Sequence, residues 1–544
     1  MSPLLAMLLT NRGITEPVAA DRYLRARLSD DLRSPMLFRQ MPVACERLAR
    51  ALTGGERIGV HGDYDVDGIS GSALLLRAFR ALGHEPLLHI PHRLKEGYGL
   101  KDTGVRALAE QGARVMITVD CGAVNHAEIE LAKRLGMDVI VCDHHQVSGT
   151  PLGATAVLNP IEADSGFPFR GLCGAGLAFY LAAGLKMYLR ESGASALPDL
   201  RRMLDLVALG TIADVVPIVE ENRVLVKHGL RELERSTLPG IVALRTVSGV
   251  TRMSSGAIAF RIAPRLNAGG RLDDARRSVE ILTTSDRALG ERLAIGLDEE
   301  NRARQRIERA AVDDAVERID RCGGVAERHS IVLASSQWHP GVVGIVAARM
   351  VDRYHRPSVM IAIDDATGTG RGSGRSIPGV NLHAALRECE DLMLGFGGHP
   401  MAAGMTIDAV RIDDLAARLE TVLAGVTPQE ALVPERRIDG ELSFDQLGDA
   451  AMSDIDRLEP YGSGNPEPTF LARKVRVRAR GVVGASHLKL QLESNGCRLA
   501  AIAFGMADRV VDVGDEIEVL YRPRVSEWGG QRTLEAELRD FRRA

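Results

Sequence analysis

Between residues 57 and 145 the chain alternates short apolar strands with helices, and no other feature constrains the fold more. The strands "RIGVHGD", "PLLHIPH", "ARVMITVD" and "MDVIVCDHH" are separated by helical stretches near 69–83, 103–111 and 124–135. Such alternation is typical of an α/β domain with a parallel, doubly wound sheet. Ligands of these sheets bind at the carboxyl ends of the strands. The polar residues at those ends are therefore the candidate site.

Aspartates and histidines gather at three of these strand ends and after a later helix at 197–213. They are His61, Asp63, Asp65, Asp67, then Asp120, then Asp143, His144 and His145, and finally Asp214 in "LGTIADVVP". A lone aspartate after a strand is usually a helix cap, and Asp67 before "GISGS" fits that simpler interpretation. Carboxylates crowded this closely, however, need a counter-charge or raised pKa values. The pattern therefore favours a metal site.

A divalent cation would supply the missing charge. Oxygen ligands favour Mg²⁺ or Mn²⁺, and an imidazole shifts the preference toward manganese or another transition metal. We expect the ligand-type residues to share one rim of the sheet, as a set of His61, Asp65, Asp67, Asp120, His144 and Asp214. That number suits two metal ions with a bridging carboxylate, an arrangement used for phosphoester hydrolysis.

The rest of the chain predicts a second lobe and a barrel. A charged stretch at 297–320 predicts a solvated helix that joins two lobes, and "GAGLAFYLAAGL" predicts a buried helix. A second α/β unit follows, with strands "HSIVLASS" and "PSVMIAI", a helix at 341–353 and glycine-rich turns. After the turn signal "PYGSGNPEP", short alternating strands predict a small all-β barrel of about five strands.

Composition limits the classes of function. At 544 residues the chain is long enough for several domains, and its net charge of -4 gives no global attraction for a polyanion. Seven scattered cysteines without a CxxC pair argue against a disulfide framework and favour a reducing cytoplasm. The sequence contains neither a P-loop "GK" dipeptide nor "HExxH".

Two glycine-rich segments of the second unit, and one segment before it, are candidates for holding a phosphate. "GRGSGRS" offers Ser373 and Arg375, "GGHPMAAG" offers His399, and "RIAPRLNAGGR" offers Arg265, Asn267 and Arg271. A glycine-rich loop alone is more often a turn. An arginine beside it, in a chain that also carries a metal rim, favours the phosphate site.

The predicted barrel carries a local excess of positive charge. Residues 471–544 contain 14 arginines and lysines against 10 aspartates and glutamates. "RKVRVRAR" predicts Arg476, Arg478 and Arg480 on one face of a strand, which fits either a solvated edge strand or a groove for a phosphate backbone. Tyr521 and Trp528 are candidates for stacking on bases.

These motifs, in this order, resemble those of the DHH phosphoesterase superfamily. The similar segments are "DYDVDG", "VDCG", "DHH" and "ADVVP". "WHPGVVGIVAARM", "GSGRS" and "GGHPMAAG" resemble the DHHA1 domain, and "LEPYGSGNPEP" followed by a barrel resembles the RecJ branch, as do "LLTNRGI" and "DLRSP". The resemblance covers nearly the whole chain. It departs mildly from the usual "NAAGR", because Gly269 replaces a small residue there.

The resemblance implies two α/β lobes joined by a long helix, plus an OB-fold. The implied ranges are an N-terminal helical segment 1–55, a DHH domain 56–220, a helical connector 221–325, a DHHA1 domain 326–430 and an OB-fold domain 431–544. RecJ proteins degrade single-stranded DNA from the 5′ end, require Mn²⁺ or Mg²⁺, and act in repair and recombination. A cytoplasmic monomer assisted by single-strand binding protein and a helicase is the implied setting.

The resemblance also implies ligand sets. Asp65 and Asp120, with His61 or Asp63, would hold one metal, and Asp67, Asp120, His144 and Asp214 the other, so that Asp120 is the bridge. Asp143 and His145 would orient ligands or contact the substrate.

Two alternatives stay open. One is a DHH enzyme for short oligonucleotides, cyclic dinucleotides or bisphosphorylated nucleotides, which would not need a strand-holding barrel. The other is a non-catalytic RecJ-like DNA-binding protein. Proteins of that second kind lose metal ligands, whereas all the expected ligands are present here.

Overall fold

The fold described here is that of a computed structural model of the chain. The structure describes residues 1–93, 96–272, 274–484, 486–528 and 531–543, with the backbone alone at 271–272, 526–528 and 531–532. No helix in these ranges is both long and apolar enough to cross a membrane.

The first lobe is built on a five-stranded parallel sheet, which confirms the predicted α/β class. The strands run in the order β2-β1-β3-β4-β5. Its elements are β1 (Arg57–Gly62), α4 (Val66–Ala81), β2 (Leu87–His89), α5 (Asp102–Glu110), β3 (Ala113–Val119), α6 (His126–Arg134), β4 (Asp138–Cys142), β5 (Ala156–Leu158), α7 (Gly174–Glu191) and α8 (Leu204–Ala213). The helix expected at 197–213 begins only at Leu204, because Pro198 and a 3-10 turn at Leu200–Met203 precede it. The apolar helix α7 is buried along most of its length, as its sequence predicted.

Helices make up the connector between the lobes. They are α9 (Glu220–Arg235), α10 (Pro239–Ser248), α11 (Ser255–Ala257), a π-helix (Ile258–Ile262), α12 (Ala263–Leu272), α13 (Arg276–Thr283) and α14 (Arg287–Arg321). Helix α14 begins ten residues before the predicted start at 297. It is not solvated all round, because Leu293, Leu297, Ala311 and Ala315 are buried on one side. Helix α14 therefore anchors both lobes through an apolar stripe.

The second lobe carries a mixed five-stranded sheet in the order β6-β7-β8-β10-β9. Its elements are β6 (Ile331–Ser335), α15 (Val343–Tyr354), β7 (Ser358–Asp364), β8 (Thr369–Arg375), α16 (Leu382–Arg387), β9 (Met393–His399), β10 (Ala402–Asp408) and α17 (Ile412–Val426). The prediction of glycine-rich turns after β7 was wrong, since these segments are strands. An added Cβ on Gly372 or Gly374 would lie 2.7 Å from Met405 Cγ or Leu382 Cδ2, so glycine lets core side chains fill that space.

The C-terminal part is a closed five-stranded barrel, as predicted. Its strands run β12-β13-β14-β16-β15, and pairing of β12 with β15 closes it. The elements are β11 (Gly440–Glu441), α18 (Asp449–Asp456), β12 (Phe470–Val483), β13 (His487–Ser494), β14 (Cys497–Ala503), β15 (Glu516–Trp528) and β16 (Gln531–Arg543).

The N-terminal helices divide between two cores. Leu5, Leu8 and Leu9 of α1 (Pro3–Thr10) pack in the barrel core, and Ala20 of α2 (Pro17–Arg25) joins them. Helix α3 (Met41–Gly54) instead packs in the core of the first lobe. Helix α1 thus contributes to the core of the barrel.

Arg223 of α9 fastens the barrel to the first lobe. Its buried guanidinium donates hydrogen bonds to the carbonyl oxygens of Leu458 and Glu459, both at 2.9 Å, and of Tyr23, at 2.8 Å. It also lies 3.7 Å from the centre of the Tyr23 ring. One side chain therefore ties together the connector, the N-terminal helices and the turn that leads into the barrel.

Candidate metal centre and active site

The ends of β1, β3 and β4 bring the predicted site residues together. Gly62, Val119 and Cys142 close the three strands at adjacent register positions, so the residues after them share one edge of the sheet. Three groups there have ligand atoms close enough to share a metal ion, among the described residues: Asp63, Asp65 and Asp120; Asp67, His144 and Asp214; and Asp120, His144 and His145.

Local backbone geometry aims these side chains. Asp65 caps α4, accepting hydrogen bonds from the backbone of Asp67 at 2.9 Å and of Gly68 at 3.2 Å. Asp67 accepts from Gly174 N at 2.5 Å and Ala175 N at 2.9 Å, at the start of α7. A helix N-terminus stabilises a carboxylate in this way. Holding the start of a helix and binding a metal ion are therefore compatible roles for Asp65 and Asp67.

Asp120 stands at the centre of the cluster. Its backbone has φ +64°, a left-handed conformation that is uncommon outside glycine and that clusters at functional sites. His144 Nε2 lies 3.0 Å from Asp120 Oδ1, 3.5 Å from Asp214 Oδ2 and 3.9 Å from Asp67 Oδ2. Asp120 thus contacts both sides of the cluster.

Negative charges repel one another among the buried carboxylates of this cluster. Burial, with neighbouring negative charge, raises the pKa of Asp63 and of Asp120 well above the usual value. Burial and then the charges of Asp67 and Asp65 raise the pKa of Asp214 to about 9. Bringing in positive charge would reverse these shifts. This cluster is therefore suited to a divalent cation.

The donor set fits Mn²⁺ or Mg²⁺. Asp63 Oδ1 and Asp214 Oδ2 are buried without a hydrogen-bond partner among the described residues, which is costly unless something else satisfies them. The ligand atoms are carboxylate oxygens and one or two imidazole nitrogens. Hard, oxygen-rich sites of this kind select magnesium and manganese.

Asp143 orients the histidine pair. It accepts hydrogen bonds from Ala123 N at 2.7 Å, His144 N at 2.8 Å and His145 Nδ1 at 2.8 Å. Although burial raises the pKa of Asp143, these hydrogen bonds hold it below its usual value. A charged carboxylate behind an imidazole fixes the tautomer and orientation of that ring.

His61 lies beside the cluster rather than in any of the three groups. It is fully buried on β1, and its Nδ1 is 3.1 Å from Nδ1 of His89. Burial and then the charge of His89 lower the pKa of His61 to about 3. The ring is therefore neutral, and its Nε2 is buried without a hydrogen-bond partner among the described residues. Metal ligation by His61 stays a prediction.

The second lobe presents Ser373, Arg375 and His399 to the same cleft. Arg375 and His399 both pair with Ala402, and Ser373 pairs with Gly404, so all three lie on one face of the sheet. Arg375 Nη1 donates to Ser373 Oγ at 3.0 Å. The rings of His399 and His145 are 6.3 Å apart. The phosphate-binding candidates of one lobe thus face the ligands of the other.

Sequence reasoning missed Arg93 and Tyr98. Arg93 lies 4.8 Å over the Tyr64 ring. Burial and then the charge of Arg93 lower the pKa of Arg375, and the same charge partly opposes the raised pKa of Asp63. The Tyr98 hydroxyl donates to the carbonyl oxygen of Asp120 at 3.2 Å and lies 3.0 Å from His145 Nδ1. The only available signal was position, since both residues follow the second strand.

The segment "RIAPRLNAGGR" covers the end of the π-helix and most of helix α12, and it packs against the turn that follows β1. An added Cβ on Gly270 would lie 2.7 Å from the carbonyl oxygen of Tyr64, so glycine permits this close approach. Asn267 is half-buried, and Arg265 pairs with Asp298 at 2.8 Å. The side chain of Arg271 lies outside the described residues.

Two expectations for the barrel need correction. A β-bulge at Arg478 shifts the register, so Arg476 faces the side of Glu493 whereas Arg480 faces the side of Leu490. The three arginines therefore do not share one face, and Arg478 is paired with Glu493 at 2.6 Å. Tyr521 is buried and donates to the carbonyl oxygen of Leu442, so it is not available for stacking. The side chain of Trp528 lies outside the described residues.

Comparison with known proteins agrees with this geometry. The DHH family N-terminal domain matches residues 57–211, the DHHA1 domain 328–425 and the RecJ OB domain 438–540. "Single-stranded-DNA-specific exonuclease RecJ" of Bacillus subtilis is 34% identical over 99% of this chain and 68% of its own length, and that of Escherichia coli is 35% identical over 98% and 95%. RecJ from Thermus thermophilus in complex with Mn²⁺ superposes with a TM-score of 0.85, at 33% identity over 100% of this chain and 76% of that one. A complex of that protein with Mg²⁺ gives 0.77, at 30% identity over 100% and 75%. The chain belongs to the RecJ family.

Proposed function

We propose that this chain is a metal-dependent exonuclease that hydrolyses the phosphodiester bonds of single-stranded DNA from the 5′ end, in repair and recombination. One observation carries the proposal: the Asp120 cluster faces Ser373, Arg375 and His399 across a single cleft. Relatives named as single-stranded-DNA-specific exonucleases cover nearly the whole chain, which supports the same substrate.

The residues that would hold metal fall into two sets, and Asp120 of the first set connects them because its Oδ1 lies 3.0 Å from His144 Nε2 of the second. Asp65 and Asp63 belong to one set, and Asp67, His144 and Asp214 to the other. Two bound cations would lower the pKa of a water molecule and stabilise charge on the scissile phosphate. Neither a serine nor a cysteine nucleophile is required.

The protein's own groups position the ligands and the substrate. The backbone of α7 holds Asp67, and Asp143 holds His145 toward the cleft. Arg375 and Ser373 offer N–H and O–H donors for a phosphate, and the nearby charge of Arg93 adds to theirs. Guanidinium groups suit phosphate because their forked donors match its oxygens. We assign these three residues to the terminal phosphate of the strand.

The barrel favours long strands over small nucleotides. A closed barrel of this kind is a common holder of single strands, whereas a dinucleotide needs no such barrel. Retention of the complete carboxylate cluster favours an enzyme over a non-catalytic binding protein. We further propose that the chain works as a cytoplasmic monomer with single-strand binding protein and a helicase, as the family resemblance implies.

Rates on four substrates test the proposal: 5′-labelled and 3′-labelled long single strands, a blunt duplex and a dinucleotide, each with Mn²⁺. We expect mononucleotide release from the 5′ end of the single strand and no cutting of the duplex. The Asp120→Ala variant should be inactive, and Asp164→Ala, at an exposed carboxylate of the same lobe, should be unaffected. Preference for the dinucleotide, or activity of Asp120→Ala, would refute the proposal.

A further inference from the structure

A cavity of about 1120 Å³ adjoins both the metal centre and the barrel. Ile212 and Ala213, which directly precede Asp214, line it on the side of the first lobe. Asn267 of α12 lines it from the connector, and Arg522 of β15 lines it from the barrel. The cavity is therefore placed between the domain that would hold a strand and the site that would cut it.

Phe260 lines this cavity and is exposed. It lies in the π-helix, and its exposed fraction of 82% is the largest for any aromatic side chain in the part of the chain that the structure describes. Ile258 and Ile262, two residues to either side, are buried, so Phe260 is held on the open face. Single π-turns occur often at functional sites. Isolated exposed hydrophobic residues are common, but this one lines the cavity that adjoins the metal centre.

The charges around the cavity suit a nucleic acid backbone. Each carboxylate of the lining is neutralised by an arginine: Arg304 pairs with Glu308, Arg252 with Glu459, and Arg522 with Glu467. Arg309, an exposed residue of the lining, has no ion-pair partner among the described residues. The lining therefore combines an aromatic face with a free positive charge, the pair of features that binds single strands without regard to sequence.

We propose that Phe260 stacks on a base of the bound strand, on the 3′ side of the bond that is cut. The inference rests on the proposed function, which supplies the strand and its direction. Every base has a π-face, so this contact holds any sequence and keeps the strand aligned between the barrel and the metal centre. The π-helix exposes the ring of Phe260 while Ile258 and Ile262 stay buried in the core.

Fluorescence of 2-aminopurine tests the contact directly. Strands with this base at successive positions from the 5′ end are bound to Asp120→Asn protein, which should bind without cutting. We expect quenching at one or two adjacent positions. Phe260→Ala should remove it, Phe260→Trp should retain it, and Val410→Ala, at an equally exposed residue outside the cavity lining, should leave it unchanged.

Kinetics separate this inference from the proposed function. In otherwise unaltered protein, Phe260→Ala should raise the KM for a 20-nucleotide strand about tenfold at unchanged kcat, from the loss of one stacked base. Hydrolysis of a trinucleotide, too short to span the cavity, should be unaffected. Quenching that survives Phe260→Ala at every position, or equal loss of activity on both substrates, would overturn the proposed stacking by Phe260. Failure of Asp120→Asn protein to bind any strand would overturn both the proposed function and the proposed stacking by Phe260.

Discussion

His145 and His399 lie nearly parallel across the cleft, with ring centroids 6.3 Å apart and planes 20° apart. One ring belongs to the strand-end cluster of the first lobe and the other to the last residue of β9 in the second lobe. This arrangement brings residues of both lobes to one cleft. Under the proposed function, the two lobes would each supply part of the site.

Replacing His399 by alanine should lower kcat/KM on single-stranded DNA about tenfold. The reason is the loss of one hydrogen bond to a charged phosphate, about 1.5 kcal/mol. Steady-state kinetics with a labelled strand measure the effect. His355→Asn is the matched control, because His355 ends α15 with a left-handed backbone that asparagine tolerates. Equal rates for His399→Ala and the unaltered protein would remove His399 from the site.

Replacing Gly404 by valine should raise the KM for DNA while preserving the fold. Gly404 pairs with Ser373, so an added side chain projects from the same face, and an added Cβ meets nothing within 4 Å. The valine would fill space in front of the phosphate-binding candidates. Gly448→Val is the control, since Gly448 also has an extended backbone and open surroundings. A melting temperature that falls for Gly404→Val alone would instead indicate a structural role.

Mn²⁺ should raise the melting temperature of the unaltered protein. The same addition should raise that of the Asp120→Asn variant much less. Binding to the folded state alone contributes about 2.7 kcal/mol at 100 times the dissociation constant. In chelator, Asp120→Asn should be at least as stable as the unaltered protein, because the raised pKa of Asp120 means that its charge opposes folding at neutral pH. Asparagine also tolerates the left-handed backbone at this position. An equal Mn²⁺ shift in both proteins would exclude Asp120 as a ligand.

Replacing Arg223 by methionine should destabilise the chain by about 3 kcal/mol. The change removes the donor to the carbonyl oxygen of Glu459 and one of the two donors to the buried carbonyl oxygen of Leu458, which keeps Asn465 Nδ2. Thermal melting measures it, with Arg235→Met, an exposed residue of the same helix, as the control. We also expect activity on long strands to fall more than activity on a trinucleotide, because the barrel loses one of its attachments to the connector. Indistinguishable melting curves for the two variants would contradict the role of Arg223.

The sequence predicted the first lobe well because its signals are local. Strand ends in a parallel sheet converge on one edge, so Asp65, Asp120 and His144 could be expected at the same edge from their positions after the strands. The hydrogen bonds of Asp67 to the start of α7 could not be predicted, since they join residues more than 100 positions apart.

The second lobe and the barrel were predicted less well for a different reason. Glycine has low strand propensity, yet β8 is a strand because its glycines make room for Ile361, Met405 and Leu382. The bulge at Arg478 likewise depends on the partner strand rather than on the arginine-rich sequence. Tertiary packing overrides local preference in both cases.

The packing of α1 against the barrel joins two segments of the chain that are synthesised far apart in time. Leu5 and Leu8 are synthesised more than 400 residues before Phe470 and the strands that cover these leucines. At about 5 to 20 residues per second, roughly 25 to 90 seconds separate the two events. During that time the apolar side of α1 lacks its native partner in the barrel, and a chain made without the barrel would leave Leu5 and Leu8 uncovered by it.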